Sequence, residues 1–245
     1  MTNFQLPNRQ VYEQTFVRSL FDSIAHRYDF LNHTMSSGID VIWRRRAIKL
    51  LQPFRPKQIL DVATGTADLA LEAVRLNPEQ IIGIDISPKM LKIGRNKIRS
   101  QKLEQLITLE FGEAEHLRFE SGSFDVVMAA FGVRNFTNLE IGLKEFYRVL
   151  RIGGSAMILE FSKPKRFPIK QMFHFYSLYM LPLLGGIVSN NRSAYEYLPS
   201  TVAEFPDGED FCDILRFTGF TTVICFPQTF GITSIYIAKK EPASK

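Results

Sequence analysis

Only two cysteines, Cys212 and Cys225, and a single tryptophan, Trp43, occur in the 245 residues. Two cysteines that far apart build no disulfide framework and offer no C-x-x-C metal spacing, so no metal is expected. No apolar run is long and clean enough to span a bilayer. The longest, about residues 172–188, is broken by His174, Pro182 and the Gly185-Gly186 pair. The start, Met1-Thr-Asn-Phe-Gln-Leu-Pro7, has neither a charged n-region nor an apolar h-region, which makes a cytoplasmic location the expectation. Internal repeats, low-complexity tracts and a three-glycine G-x-G-x-x-G loop are also missing. A strong excess of one charge is missing as well. The formal charge is +5, but the basic residues are dense only at Trp43-Arg44-Arg45-Arg46 and from Lys163 to Lys170, runs that read first as solvated faces. Without a groove of alternating aromatic and basic residues, nucleic acid is not an expected partner. What remains is a globular composition, 45% hydrophobic and 12% aromatic, of a length that suits one domain over residues 1–245.

The most informative stretch runs from Gln58 to Leu71. A short apolar run ends in Asp61, a small-residue turn follows around Gly65, and helix formers begin at Ala67. This pattern reads as a buried strand feeding a helix through a tight loop, where small side chains let a ligand approach backbone N–H groups. A dinucleotide needs three glycines here and the loop has one, so NAD fits poorly. A carboxylate at the strand end suits a cofactor with a cationic portion, and S-adenosylmethionine carries an ammonium and a sulfonium. Twenty residues after Gly65, the strand Gln80–Asp85 ends in a second carboxylate, placed to accept from both ribose hydroxyls. The competing reading, in which Asp61 and Asp85 only cap strand ends, loses ground to the regular strand and helix spacing around both.

Along the chain, Phe16, Leu20, Phe21 and Ile24 keep helical spacing, and the mixed stretch Tyr28–Trp43 is expected to cover the cofactor mouth. A helix over 40–51 leads to the first strand. Ser87-Pro88 opens a helix over 88–99, strands are expected at 107–111 and 124–130, and Thr137–Glu140 has the form of a capping box for a helix over 138–150. Gly153-Gly154 is expected to stop the chain before a strand at 155–161. Residues 163–200 break the βα rhythm and read as an inserted lid. A helix over 209–218 and strands at 221–226 and 233–238 complete the chain, the last two close enough to be antiparallel. The fold class is therefore α/β: a seven-stranded, mostly parallel sheet with an antiparallel last strand, helices on both faces, an N-terminal helical cover over 1–56 and the lid. That is the layout of class I S-adenosylmethionine-dependent methyltransferases.

Four separated elements carry a closer resemblance. A Y-D-x-x-N signature with later Ser, Gly and Trp is matched by Tyr28, Asp29, Asn32, Ser36, Gly38 and Trp43; an F-G-x-R-N element by Phe131, Gly132, Arg134 and Asn135. A third signature, R-V-L-K-P-G-G followed by E-F-S, is matched by Arg148–Leu150, Gly153, Gly154 and Glu160–Ser162, with Arg151 and Ile152 in place of its Lys-Pro. Ala194, Tyr195, Tyr197, Leu198, Pro199, Phe205 and Pro206 match the fourth. The sequence resembles the UbiE/MenG family of ubiquinone and menaquinone biosynthesis C-methyltransferases along nearly its whole length. The resemblance implies that Thr66 and Asp85 contact S-adenosylmethionine, with Glu113 and Ala114 at the adenine. It departs from the commoner G-T-G-D loop at Ala67, a methyl that is tolerable there if φ stays negative.

Such enzymes methylate a ring carbon of a reduced quinone bearing a prenyl tail. Deprotonating a quinol hydroxyl pushes electron density onto that carbon, so the site must align the ring, accept a proton and stabilise a phenolate. Arg134 is the expected partner of the phenolate, with a loop salt bridge as its structural alternative. Asn135 orients substrate or loop, and His33 is the candidate proton acceptor. Tyr28 and Asp29 are expected to close over the site, while Phe173 and Tyr176 of the lid would line a tail groove. Glu160 reads as a structural partner. Demethylmenaquinol is the first-choice substrate and the benzoquinol precursor of ubiquinone the second. A non-catalytic cofactor-binding regulator is the alternative from a different class. Peripheral membrane contact and homo-oligomerisation are left open.

Overall fold

The computed structural model describes residues 13–36, 38–175 and 192–242. Its sheet consists of β1 (Gln58–Val62), β2 (Gln80–Asp85), β3 (Ile107–Phe111), β4 (Phe124–Ala130), β5 (Leu150–Phe161), β6 (Thr222–Gln228) and β7 (Thr233–Lys239), in the order β3-β2-β1-β4-β5-β7-β6. The first five run parallel, and β7 inserts antiparallel between β5 and β6. Strand order reverses between β1 and β4, which opens a crevice at their carboxyl ends.

Alternation along the strands makes two apolar layers. Leu60 and Val62 of β1 join the layer covered by α5 (Leu139–Val149) and the late helix Glu209–Phe217, while Ile59 joins the opposite layer under α2 (Ile39–Leu51), α3 (Asp68–Ala73) and α4 (Pro88–Ser100). Helix α1 (Gln14–Met35) lies over α4 and α2, outside the sheet layers. The expected lid holds α6 (Ile169–Phe175) and α7 (Arg192–Glu204), with residues 176–191 outside the described chain; the helix Glu209–Phe217 is α8.

Helix α1 continues to Met35 and carries Tyr28 and Asp29. Three local expectations are corrected. The cap of α5 is Asn138, whose Oδ1 accepts the Ile141 N–H at 3.0 Å; Glu140 turns instead to Lys144, so no capping box forms. Strand β5 begins at Leu150, directly after α5. Gly153-Gly154 fall inside it, where the register jumps from Phe124↔Leu150 to Val126↔Ser155 and Gly153 takes φ 85°, so the pair makes a bulge rather than a stop. Arg44, within the basic run read as solvated, is 7% exposed: it meets Asp40 at 2.6 Å and Asp68 at 3.5 Å.

Candidate active site

The site is built from the two loops at the strand crossover. After β1 the chain turns at Gly65, whose φ of 56° suits glycine, and its N–H donates to Asp85 Oδ2 at 2.8 Å. The Ser87 N–H donates to Asp85 Oδ1 at 2.8 Å, and the Thr64 N–H to the Ile84 carbonyl at 2.9 Å. The two carboxylate-bearing strand ends are thereby locked together. Asp61 is fully buried; Thr64 Oγ1 donates to its Oδ2 at 2.6 Å, while its Oδ1 has no partner. Burial pushes Asp61 up to about 7, a shift that the nearby Asp85 increases. Asp85 is pushed up to about 6 by burial, against the pull of the Ser87 and Gly65 N–H groups.

Above these loops lies an open cleft of about 680 Å³, counted out to solvent. Val17, Phe21 and Tyr28 of α1 roof it; Gly65, Asp85, Ile86 and Met90 form one side, and Ala114, Phe131 and Asn135 the other. The second loop approaches closely. A Cβ on Gly132 would sit 2.5 Å from that of Ala63, so only glycine lets the Phe131–Asn135 turn rest on the first loop. Phe131 itself takes φ 59°, a strained conformation at the end of the central strand. Burial pushes the Tyr28 phenol above its ordinary value, opposed by Asn32, Arg134 and Arg44.

Of the residues singled out in the sequence, Tyr28, Gly65, Asp85, Ala114 and Asn135 line this one cleft, with Asp61 behind the loop that lines it. Others face elsewhere. Thr66 Oγ1 donates to Asp29 Oδ1 at 2.5 Å, and Lys97 Nζ joins Thr66 at 3.0 Å and both Asp29 and Asp68 at 2.6 Å, so Thr66 and Asp29 belong to a polar clamp between α1, α3 and α4. Glu113 opens onto a neighbouring groove with His116 and Arg118, and Glu115 takes its place on the cleft. Arg134 is 7% exposed. Its Nη1 donates to Glu160 Oε1 at 2.7 Å and to the Phe131 carbonyl, its backbone N–H reaches Glu160 Oε2 at 3.2 Å, and its buried Nε has no partner. This is the loop salt bridge weighed in the sequence. Phe173 is half-buried on α6 and is not on the cleft. His33 belongs to the last turns of α1, its side chain outside what is described, as is all of Tyr176.

The sequence reading missed two contributors. Val17 joins Phe21 and Tyr28, both noted in the sequence, on the roof of the cleft at helical spacing, a signal that was there to be found. Tyr197 of α7 donates its hydroxyl to Asn135 Oδ1 at 2.9 Å, a pairing 62 residues apart that no local pattern announces. Because that oxygen accepts, the Asn135 amide is left to present its N–H groups.

Sheet order, the crossover crevice and the carboxylate at each strand end define a class I S-adenosylmethionine-dependent methyltransferase. A crystal structure of such an enzyme from Thermotoga maritima superposes with a TM-score of 0.65 over 91% of this chain and 99% of that one, at 18% identity, a likeness of fold. The chain belongs to the ubiE/COQ5 methyltransferase family, whose model matches residues 9–240. Among its relatives are the demethylmenaquinone methyltransferase of Bacteroides fragilis, 48% identical over 91% of this chain and 92% of that one, and the ubiquinone/menaquinone biosynthesis C-methyltransferase of Geotalea uraniireducens, 43% identical over 91% and 96%.

The donor set fits the cofactor of that class. The partnerless Oδ1 of buried Asp61 suits an ammonium, Asp85 suits a ribose diol, and Ile86, Met90 and Ala114 supply an apolar slot for a flat ring.

Proposed function

We propose that the protein methylates a ring carbon of demethylmenaquinol in menaquinone biosynthesis. The observation that carries this reading is the 48% identity, across nine-tenths of both chains, to an enzyme named for that substrate. A benzoquinol of ubiquinone biosynthesis is the second reading, supported by relatives named for both pathways.

Bound S-adenosylmethionine supplies an electrophilic methyl group. Asp61 and Asp85 hold its cationic and ribose portions, and the α1 roof excludes water from the transfer. In our reading His33, in the last turns of α1, takes the quinol proton. The Asn135 amide, fixed by Tyr197, donates to the phenolate as charge develops. Arg134 then acts as a positioning residue, holding the Phe131–Asn135 turn through Glu160. Support for Asn135 over Arg134 at the phenolate comes from position: Asn135 lines the cleft, whereas Arg134 does not and turns its Nη1 to Glu160.

The test is direct. Purified protein is incubated anaerobically with methyl-labelled cofactor and either demethylmenaquinol or the demethylated benzoquinol. Label in the naphthoquinol alone is the expected result; label in the benzoquinol alone would transfer the assignment to ubiquinone synthesis.

A further inference from the structure

Three large apolar side chains at the carboxyl edge of the sheet stand in solvent. Phe230, in the turn between β6 and β7, is 78% exposed, Phe167 81% and Met172 63%. The backbone brings their segments together. Phe161 pairs with Thr233, and the Ser162 N–H donates to the Ile232 carbonyl at 2.9 Å, so the chain leaving β5 starts against the turn that carries Phe230. Exposed apolar groups gathered at one edge mark a contact surface.

Their neighbours are cationic. Residues 163–172 read Lys-Pro-Lys-Arg-Phe-Pro-Ile-Lys-Gln-Met, without a carboxylate, and Lys165, Arg166 and Lys170 are all exposed. Lys163 alone is engaged inward, with Asp207 at 3.3 Å and the carbonyls of Ala203 and Phe205. Apolar tips interleaved with free cations are what an anionic lipid interface selects, the tips entering the acyl boundary and the cations meeting phosphates. A second copy suits this face less well, because a twofold contact would set like charges against each other.

An aromatic tract runs inward from the same edge. Trp43 Nε1 donates to Thr229 Oγ1, beside Phe230, at 2.7 Å. The Trp43 ring lies 6.2 Å from Phe131 and 6.5 Å from Phe161, and those two are 4.8 Å apart. Phe131 is a wall of the cleft.

We propose that Phe167, Met172 and Phe230, with Lys165, Arg166 and Lys170, dock the protein on an anionic bilayer, and that the Trp43–Phe161–Phe131 tract joins the docked face to the cleft. Its purpose rests on the quinol reading, since a prenyl-tailed substrate resides in lipid; the docking itself does not.

The full chain is sedimented with vesicles of phosphatidylglycerol and phosphatidylcholine, and with phosphatidylcholine alone. Expected is binding to the anionic vesicles only, weakened by salt. The combined Phe167→Ser, Phe230→Ser variant should bind about tenfold or more weakly. Replacing Lys165, Arg166 and Lys170 with glutamine should cost roughly fivefold per cation. Both variants should keep wild-type turnover on a quinol lacking the tail, which shows them folded. Equal partition of the wild type and both variants, or no vesicle binding, overturns the proposal. So does a wild-type dimer that Phe167→Ser, Phe230→Ser dissociates, which would assign the face to self-association. Vesicle binding with no quinol methylation would uphold the docking and strike only the substrate reading.

Discussion

Two residues of the first loop separate what the sequence reveals from what only the backbone does. Ala67 stands where a methyl was expected to need negative φ, yet it takes φ 70°, with its Cβ buried and facing Gly94. A left-handed alanine stores roughly 1–2 kcal/mol, and glycine there loses some of that gain through its freer unfolded chain. Ala67→Gly should therefore leave the urea midpoint unchanged or modestly higher; a clear drop would mean that methyl packing outweighs strain. Asp61 was legible as a carboxylate at a strand end, but not its partnerless oxygen, which depends on burial by distant elements. Its pH consequences have a definite sign. A carboxyl raised to about 7 when folded holds a proton that the unfolded chain releases, so its contribution is complete below about pH 4 and lost as pH rises through 7; Asp85, at about 6, adds in the same sense. Without cofactor, stability should fall between about pH 4 and 7, and Asp61→Asn should flatten the fall. A bound cation favours the carboxylate, so cofactor binding near pH 6.5 should release protons, read by calorimetry in buffers of different protonation enthalpy. Equal heats in all buffers would remove Asp61 from the cofactor.

At the level of elements, the strands were readable because β1 and β2 are apolar runs ending in aspartate and β4 is apolar on both faces. Their connections were less so. The Gly153-Gly154 pair looked like a stop because glycine serves both helix ends and bulges, and only the pairing of β4 with β5 decides between them. The Phe131–Asn135 turn was recognised, but the direction of Arg134 was not, since it is set by Glu160 on another strand, 26 residues away. Glu160 is fully buried. Arg134→Ala would leave its charge unpaired at a cost of about 3–5 kcal/mol, so activity and thermal midpoint should fall together. Asn135→Ala should instead lower kcat by roughly 10²-fold with the midpoint retained. A stable, slow Arg134→Ala enzyme would return the phenolate to Arg134. Two polar contacts that hold helix α1 are Asp22 accepting from Ser87 Oγ at 2.5 Å and Asp29 engaging Thr66 and Lys97. Releasing the second by Asp29→Asn should speed cofactor dissociation in stopped-flow experiments, with the wild-type rate rising toward it as salt is added.

For the molecule as a whole, the redox state of the substrate is part of the proposed chemistry: an oxidised ring has no hydroxyl proton to give up and is electron-poor, so turnover should vanish when the quinone is supplied without reductant. Equal anaerobic rates with quinone and quinol would refute the carbanion-like route. Contacts between distant parts were the least legible of all, and Tyr197 is the clearest case. Its ring packs with Val17 and Leu20 and lies 6.1 Å from Phe16, all on the roof helix, while its hydroxyl fixes Asn135. One side chain thus reads whether the roof is down and sets the group that meets the ring. Whatever favours the seated roof also favours the oriented amide, so cofactor and quinol should bind with positive cooperativity. Reciprocity then requires that each ligand raise the affinity of the other by the same factor. Tyr197→Phe keeps the ring against α1 and removes the hydroxyl, so it should drive that factor toward one while leaving cofactor affinity in the absence of quinol nearly as it was.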